Sequence, residues 1–397
     1  MEEKERQSTA LEDLCPDLIA AVLRRIPLLH RTRLKLVSKA WRHHITALRR
    51  HPETTSFGLV ILYRQVQNDP NLHQSHLLRI QDSSATSLSL SSSLSHSYPW
   101  LLDSCNGLVL YAKTNETHNW DYCVSSPVLN QYRILPRRRK SEILARESLA
   151  FDGSHMGNFK VVLIFFQDVD FLGGKIGCQI FSSETGDWRE IEAPLINSYL
   201  IQIGFQLEDI WGHSVYRNRK LYWVWSICML IFDEDEEIFE LVNLPTSKET
   251  GERKEKRTRY FSCMGLWVSE GKIHYCEQSE EGFRVWQYRD SDYDDDDKWE
   301  ARRLIALEKL KLRKIETINW FGEKVEFAIP KGHIWPCAFN EDLQLLFFRV
   351  GPGIVYSYSF ETREFEEVRG CGNTGQEQTY LTSCVCPFFF NSVNLDI

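Results

Sequence analysis

Apolar positions near the N-terminus recur with helical spacing. Leu14, Leu18, Ile19, Val22, Leu23 and Ile26 follow one another at steps of 4, 1, 3, 1 and 3, which places them on one face of an α-helix. Pro27 ends that segment, because its ring removes a donor and clashes one turn back. A second stripe, Leu34, Val37, Trp41, Ile45 and Leu48, runs at steps of 3, 4, 4 and 3 and is closed by Pro52. Between Ser83 and Leu102 nine of twenty residues are Ser, which reads as a connector, although Ser-Leu alternation at 87–91 would suit a short strand.

After Trp100 the period changes from helix to strand and a phrase recurs. Each copy has an apolar strand, a small polar turn, an aromatic residue, then an aliphatic residue and often Pro. Copies begin at Tyr122, Cys178, Leu230, Val285 and Val355, and their aromatic anchors are Tyr132, Trp188, Phe239, Trp299 and Phe365. The anchors are 56, 51, 60 and 66 residues apart. A second phrase precedes each copy, as in Asn106-Gly107-Leu108-Val109-Leu110-Tyr111 and Lys220-Leu221-Tyr222-Trp223-Val224-Trp225.

Four strands per repeat at this period predict propeller blades, closest to kelch-type spacing. A four-stranded blade has two faces and buries both only by stacking against neighbours around a ring. A sixth blade is expected from Phe57–Tyr63 and Leu77–Ile80 together with the C-terminal strand Cys384–Phe390, locking the ring with both ends of the chain. The predicted fold is thus α+β by chain: a small all-α module of three short helices, then an all-β propeller of about six four-stranded blades. Residues 1–10 are expected to be disordered, 11–52 to form the helical module and 53–397 the propeller.

Composition sharpens this division. Aromatic residues make up 12% of 397, with 12 Trp, and wedge packing between blades accounts for them without a cofactor. The net charge of -8 conceals a split: residues 1–50 carry eleven basic and six acidic residues, and Val22–Arg50 carries nine basic and no acidic one. Such asymmetry suggests modules with different partners. The N-terminal residues lack the apolar run of a signal peptide. The longest uncharged apolar stretch, Leu221–Phe232, is 12 residues, too short for a spanning helix. Eleven Cys without C-x-x-C spacing read as reduced, buried thiols of an intracellular protein, cytoplasmic or nuclear.

Short helices in so small a module cannot bury enough surface to stand alone and need a partner. The basic charges lie on several faces rather than in one row, and the stripe containing Trp41 exceeds what so small a core requires. A protein partner is therefore favoured over nucleic acid.

The residues Leu14-Cys15-Pro16-Asp17-Leu18-Ile19, Val22-Leu23-x-x-Ile26-Pro27 and Arg33-x-x-x-Val37-Ser38-Lys39-x-Trp41 resemble an F-box. Cys15 stands where that family has its first Pro, and Arg31-Thr32 where an aliphatic pair is usual. The resemblance implies binding to a Skp-family adaptor, and through it to a cullin scaffold, by Leu14, Pro16, Leu18, Ile19, Val22, Leu23, Ile26, Pro27, Leu34, Val37 and Trp41. Cys105-Asn106-Gly107-Leu108 and Ser126-Pro127 leading to Tyr132-Arg133-x-Leu135-Pro136 are similar to plant F-box proteins with an associated kelch-like domain. That likeness implies a substrate receptor of an SCF-type ubiquitin ligase, whose propeller binds an unidentified target protein.

Chemistry-bearing motifs are few. Gly173-Gly174-Lys175-Ile176 lacks P-loop spacing and reads as a hairpin turn, and no H-E-x-x-H, G-x-S-x-G or paired Cys/His spacing is present. Asp294–Asp297 lacks the Gly and spaced ligands of a calcium loop and reads as a solvated loop. Arg137-Arg138-Arg139-Lys140 reads as a surface loop rather than an import signal. No catalytic residue, metal, cofactor, nucleic acid or membrane is expected. Two other readings remain open: a propeller enzyme or carbohydrate-binding protein with a vestigial F-box, and a scaffold that binds the adaptor without turning over a target. Carboxylates or His converging on the central channel would favour the enzyme.

Overall fold

The computed structural model describes residues 19, 57–65, 73–81, 84–89, 94, 97–115, 119–138, 146–153, 158–166, 174–198, 210–225, 228–245, 264–269, 271–278, 282–290, 298–306, 315–318, 324–327, 334–340, 343–350, 354–368, 380–389 and 395. The first three strands, β1 (Phe57–Gln65), β2 (His73–Gln81) and β3 (Ser84–Ser89), form a sheet whose fourth, innermost member is Tyr380–Phe389 from the far end of the chain. This is blade 1, and it closes the ring with the two segments that the sequence pairs. The serine-rich stretch opens with a strand, β3, which takes in Ser87–Ser89 of the Ser-Leu alternation, and ends in the strand that begins at Trp100; residues 90–93, 95 and 96 lie outside the described residues.

Blades 2 to 4 follow in chain order. Blade 2 is β4 (Trp100–Cys105), β5 (Leu108–Thr114), β6 (Trp120–Ser126) and β7 (Gln131–Ile134). Blade 3 is β8 (Arg146–Ala150), β9 (Lys160–Phe166), β10 (Gly174–Ser182) and β11 (Asp187–Ile196). Blade 4 is β12 (Ile210–Arg217), β13 (Lys220–Trp225), β14 (Cys228–Asp233) and β15 (Ile238–Asn243).

Blade 5 is β16 (Met264–Ser269), β17 (Lys272–Gln278), β18 (Gly282–Tyr288) and β19 (Trp299–Ala306). A separate hairpin, β20 (Ile315–Ile318) and β21 (Lys324–Phe327), interrupts the path to blade 6: β22 (Ile334–Asn340), β23 (Leu345–Val350), β24 (Ile354–Ser359) and β25 (Phe365–Glu367). The closing strand is β26. Innermost strands neighbour one another in the order β26, β4, β8, β12, β16, β22 and back to β26, so the described residues form a six-bladed ring. Blades 3 and 4 are further joined at their outer edges, where β11 pairs in parallel with β15 (Leu195 opposite Phe239, Ile196 opposite Glu240).

Side-chain alternation explains why central strands read as continuous apolar runs. Along β9, Val161 and Leu163 enter the core between blades 2 and 3, while Val162 and Ile164 enter the core between blades 3 and 4. Leu221–Phe232 is likewise β13 and β14: Leu221, Trp223 and Trp225 face blade 3, Tyr222 and Val224 face blade 5. A strand buried on both faces has no polar positions to alternate. Each large side chain buried this way contributes about 1.5–3 kcal/mol. Among the described residues Cys105, Cys123, Cys178, Cys228, Cys276 and Cys337 are free and buried.

Candidate functional site at the propeller axis and its end turns

Of the F-box residues assigned to the adaptor, Ile19 alone is described; it is helical and 2% exposed. Leu14, Pro16, Leu18, Val22, Leu23, Ile26, Pro27, Leu34, Val37 and Trp41 lie outside the described residues. The site the structure does build is in the ring.

At the axis, three neighbouring inner strands meet on one carboxylate. Asp103 on β4 is 1% exposed. Its Oδ2 accepts from Leu149 N of β8 at 3.0 Å and from Ser214 Oγ of β12 at 2.5 Å, and its Oδ1 accepts from Ser104 N at 2.9 Å. Burial pushes this carboxyl up to about 6, against the pull of those hydrogen bonds and of the nearby Arg146 charge. His213, adjacent on β12, is partly buried and hydrogen-bonded to the backbone of Leu266 on β16. Burial, then the charge of Arg146, lowers it to about 4. Glu147 on β8 is raised by burial. Asp103 thus ties blades 2, 3 and 4, and His213 ties blades 4 and 5.

Converging carboxylates and a His are what an axial enzyme would show. Here Asp103 Oδ2 accepts from both neighbouring blades while Oδ1 is held by Ser104 N of its own strand, which makes it a pin. No group of three potential ligands able to hold a metal occurs among the described residues.

Two seams, between blades 2 and 3 and between blades 4 and 5, are also clamped by an indole. Trp188 Nε1 on β11 donates to Pro136 O of blade 2 at 2.7 Å, and its ring lies 5.4 Å from Phe181 and 6.1 Å from Tyr122. Trp299 Nε1 on β19 donates to Asn243 O of blade 4 at 2.7 Å, with Tyr288 5.2 Å and Tyr275 5.7 Å away. The acceptors are Pro136 itself, in the Leu135-Pro136 step, and Asn243, the residue before Leu244-Pro245, so the recurring aromatic and Leu-Pro phrases of the sequence meet across a seam. Asn106 and Gly107 adopt φ of 45° and 97°, the left-handed pair a two-residue hairpin needs. From there Asn106 Nδ2 donates to Phe151 O of blade 3 at 2.6 Å, beside Cys105 Sγ at 3.2 Å.

The two ends of the ring differ chemically. Turns at the end where inner strands finish include Glu234-Asp235-Glu236-Glu237; Glu234 accepts from Lys160 Nζ at 2.6 Å and lies 3.8 Å from Arg219. At the opposite end the chain leaving β7 carries the described cations Arg137 and Arg138. Arg137 pairs with Asp121 at 3.5 Å, and Arg138 lies over the Tyr122 ring at 5.8 Å with Nη1 3.4 Å from Gln179 Oε1, so these two are held to the blade. No described helix is long and apolar enough to cross a membrane.

An F-box sequence leading directly into a ring closed by both chain ends defines a class. Residues 11–53 match the F-box domain, and residues 51–317 match the family described as "F-box protein At3g26010-like, beta-propeller". The chain belongs to that family of F-box proteins with a β-propeller. No curated protein matches it. Among solved structures it is similar to TolB from Acinetobacter baumannii (11% identity, TM-score 0.44, covering 89% of this chain and 72% of that one). It is also similar to a putative 6-phosphogluconolactonase from Bacteroides fragilis (8%, 0.40, 85% and 99%) and to apo AztD from Citrobacter koseri (9%, 0.38, 86% and 100%). Likenesses this distant carry no argument about function.

Proposed function

We propose that this protein is the substrate-recognition subunit of an SCF-type ubiquitin ligase, working in the cytoplasm or nucleus. F-box domains generally bind Skp-family adaptors, and the aliphatic face of residues 14–27 supplies apolar burial for that contact. The propeller holds the target, and the ligase gains rate from proximity, because target lysines are kept at high effective concentration near the ubiquitin-loaded enzyme. The protein itself makes and breaks no bond. The observation that carries this reading is the joining of an F-box to a closed ring whose axial carboxylate pins blades together. The Asn106-Gly107-Leu108 turn and the Leu135-Pro136 step support the kelch-like class of plant F-box proteins.

The geometry of attachment supports an orientation. Phe57, which opens β1, pairs with Phe389 at the end of β26, and the F-box match ends at residue 53. The F-box therefore joins the acidic end of the ring, and the opposite end, with Arg137 and Arg138, is left for the target. Co-purification with the adaptor tests the docking: the wild-type chain captures it, and Leu18→Arg/Ile26→Arg does not. Equal capture by both would remove that face from the assignment.

A further inference from the structure

Leu395 lies six residues beyond β26, yet it is 2% exposed and belongs to the core between blades 2 and 3, with Cys105, Leu108, Phe151 and Phe159. Its N–H donates to Gln131 Oε1, at the start of β7, at 3.1 Å. Every other fully buried member of that core comes from residues 105–181, and the partly buried side chains packed against it, Leu102, Trp120, Trp188 and Tyr216, reach no further than residue 216, so a residue far along the chain completes a seam it does not belong to in sequence.

We propose that the end of the blade 2–blade 3 seam is a socket for the chain's own C-terminal segment, with Leu395 as its plug. The ring is then closed at two points of different chemistry. One is the β26–β1 hydrogen-bond ladder in blade 1. The other is an apolar plug, oriented by one main-chain hydrogen bond, that ties blade 1 to the seam beyond blade 2. Leaving it empty would expose apolar surface, and Leu395 is the occupant that both the burial and the Gln131 bond identify.

Hydrogen exchange of the full-length chain tests this. In Leu395→Asp, amides of β5, β8 and β9 exchange about tenfold faster or more, while those of β23 and β24 in blade 6 keep their wild-type rates. A synthetic peptide with the sequence of residues 390–397, added in trans, restores protection of β5, β8 and β9; the same peptide with Asp for Leu does not. Leu395→Ala, a milder change, shifts the same strands in the same direction and is read in the same way if the Asp variant is unfolded. Unchanged exchange in β5, β8 and β9, acceleration spread evenly over all blades, or no response to the peptide would overturn the proposal.

Discussion

Asp103 is where the physics of the axis is most exposed to experiment. Two blades donate to its Oδ2, from Leu149 N and Ser214 Oγ. Asp103→Ala leaves both donors buried without an acceptor, at about 1–3 kcal/mol each, so a loss of about 2–5 kcal/mol is expected. Asp103→Asn keeps an acceptor for them and removes the buried charge, so it costs about 1 kcal/mol at pH 7. The sign of the pH dependence follows from the raised carboxyl. The native state binds this proton more tightly than the unfolded chain, so Asp103 contributes most stability below its ordinary 3.8 and loses it as pH rises to about 6. Over the whole titration the change is about 3 kcal/mol, of which about 1.5 kcal/mol falls between pH 6 and 4.5. His213 acts oppositely: held near 4, it contributes stability above its ordinary 6.5 and loses it on acidification through that window. In the wild type the two offset each other. Denaturant unfolding of wild type and Asp103→Asn at pH 7, 6 and 4.5 isolates the carboxylate. The stability difference should move by about 1.5 kcal/mol in favour of the wild type as pH falls from 6 to 4.5. Parallel curves for the two proteins would refute the assignment of a raised, buried carboxyl.

Other variants probe the seams. Gly265 on β16 has room for nothing larger, since an added Cβ would stand 2.7 Å from Pro336 O of β22; Gly265→Ala should cost about 1–3 kcal/mol in equilibrium unfolding. Trp188→Phe keeps most of the ring but leaves Pro136 O without the indole donor, for an expected loss of about 1 kcal/mol by the same measurement. Lys160→Met strips the closest cation from Glu234, whose side chain is 3% exposed, and should cost about 2–4 kcal/mol. The double variant Lys160→Met/Glu234→Leu should recover much of that loss, and a double-mutant cycle would show it.

Much of the ring was legible because wedge packing writes itself into sequence. Tyr132, Trp188, Phe239, Trp299 and Phe365 all fall at the start of the outermost strand of their blades; the last four pack into seams, whereas Tyr132 is 50% exposed and does not fill the wedge expected of it. The closing partnership of the two chain ends was legible too, since β1 and β26 are apolar runs with no other place in the repeat. β3 was half hidden: an outermost strand needs few apolar residues, and Ser84–Ser89 resembles a connector. The β20–β21 hairpin was missed because Ile315–Phe327 mixes charge with apolar residues and follows no blade phrase. Asp103 had a signal that went unused, a lone carboxylate inside the apolar run Trp100–Leu110. Its partners Leu149 and Ser214 are 46 and 111 residues away, and no periodicity announces contacts of that range. Leu395 had none.

The division of labour between F-box and propeller is tested most directly by proximity labelling in cells under proteasome inhibition, with wild type and Leu18→Arg/Ile26→Arg compared. Both proteins should label the same target polypeptides, because the propeller holds them. Adaptor labelling should disappear from the variant, and without proteasome inhibition the targets should accumulate only in cells carrying the variant. A target set that changes with the F-box face, or targets whose abundance ignores it, would contradict a receptor that docks through one module and selects through the other.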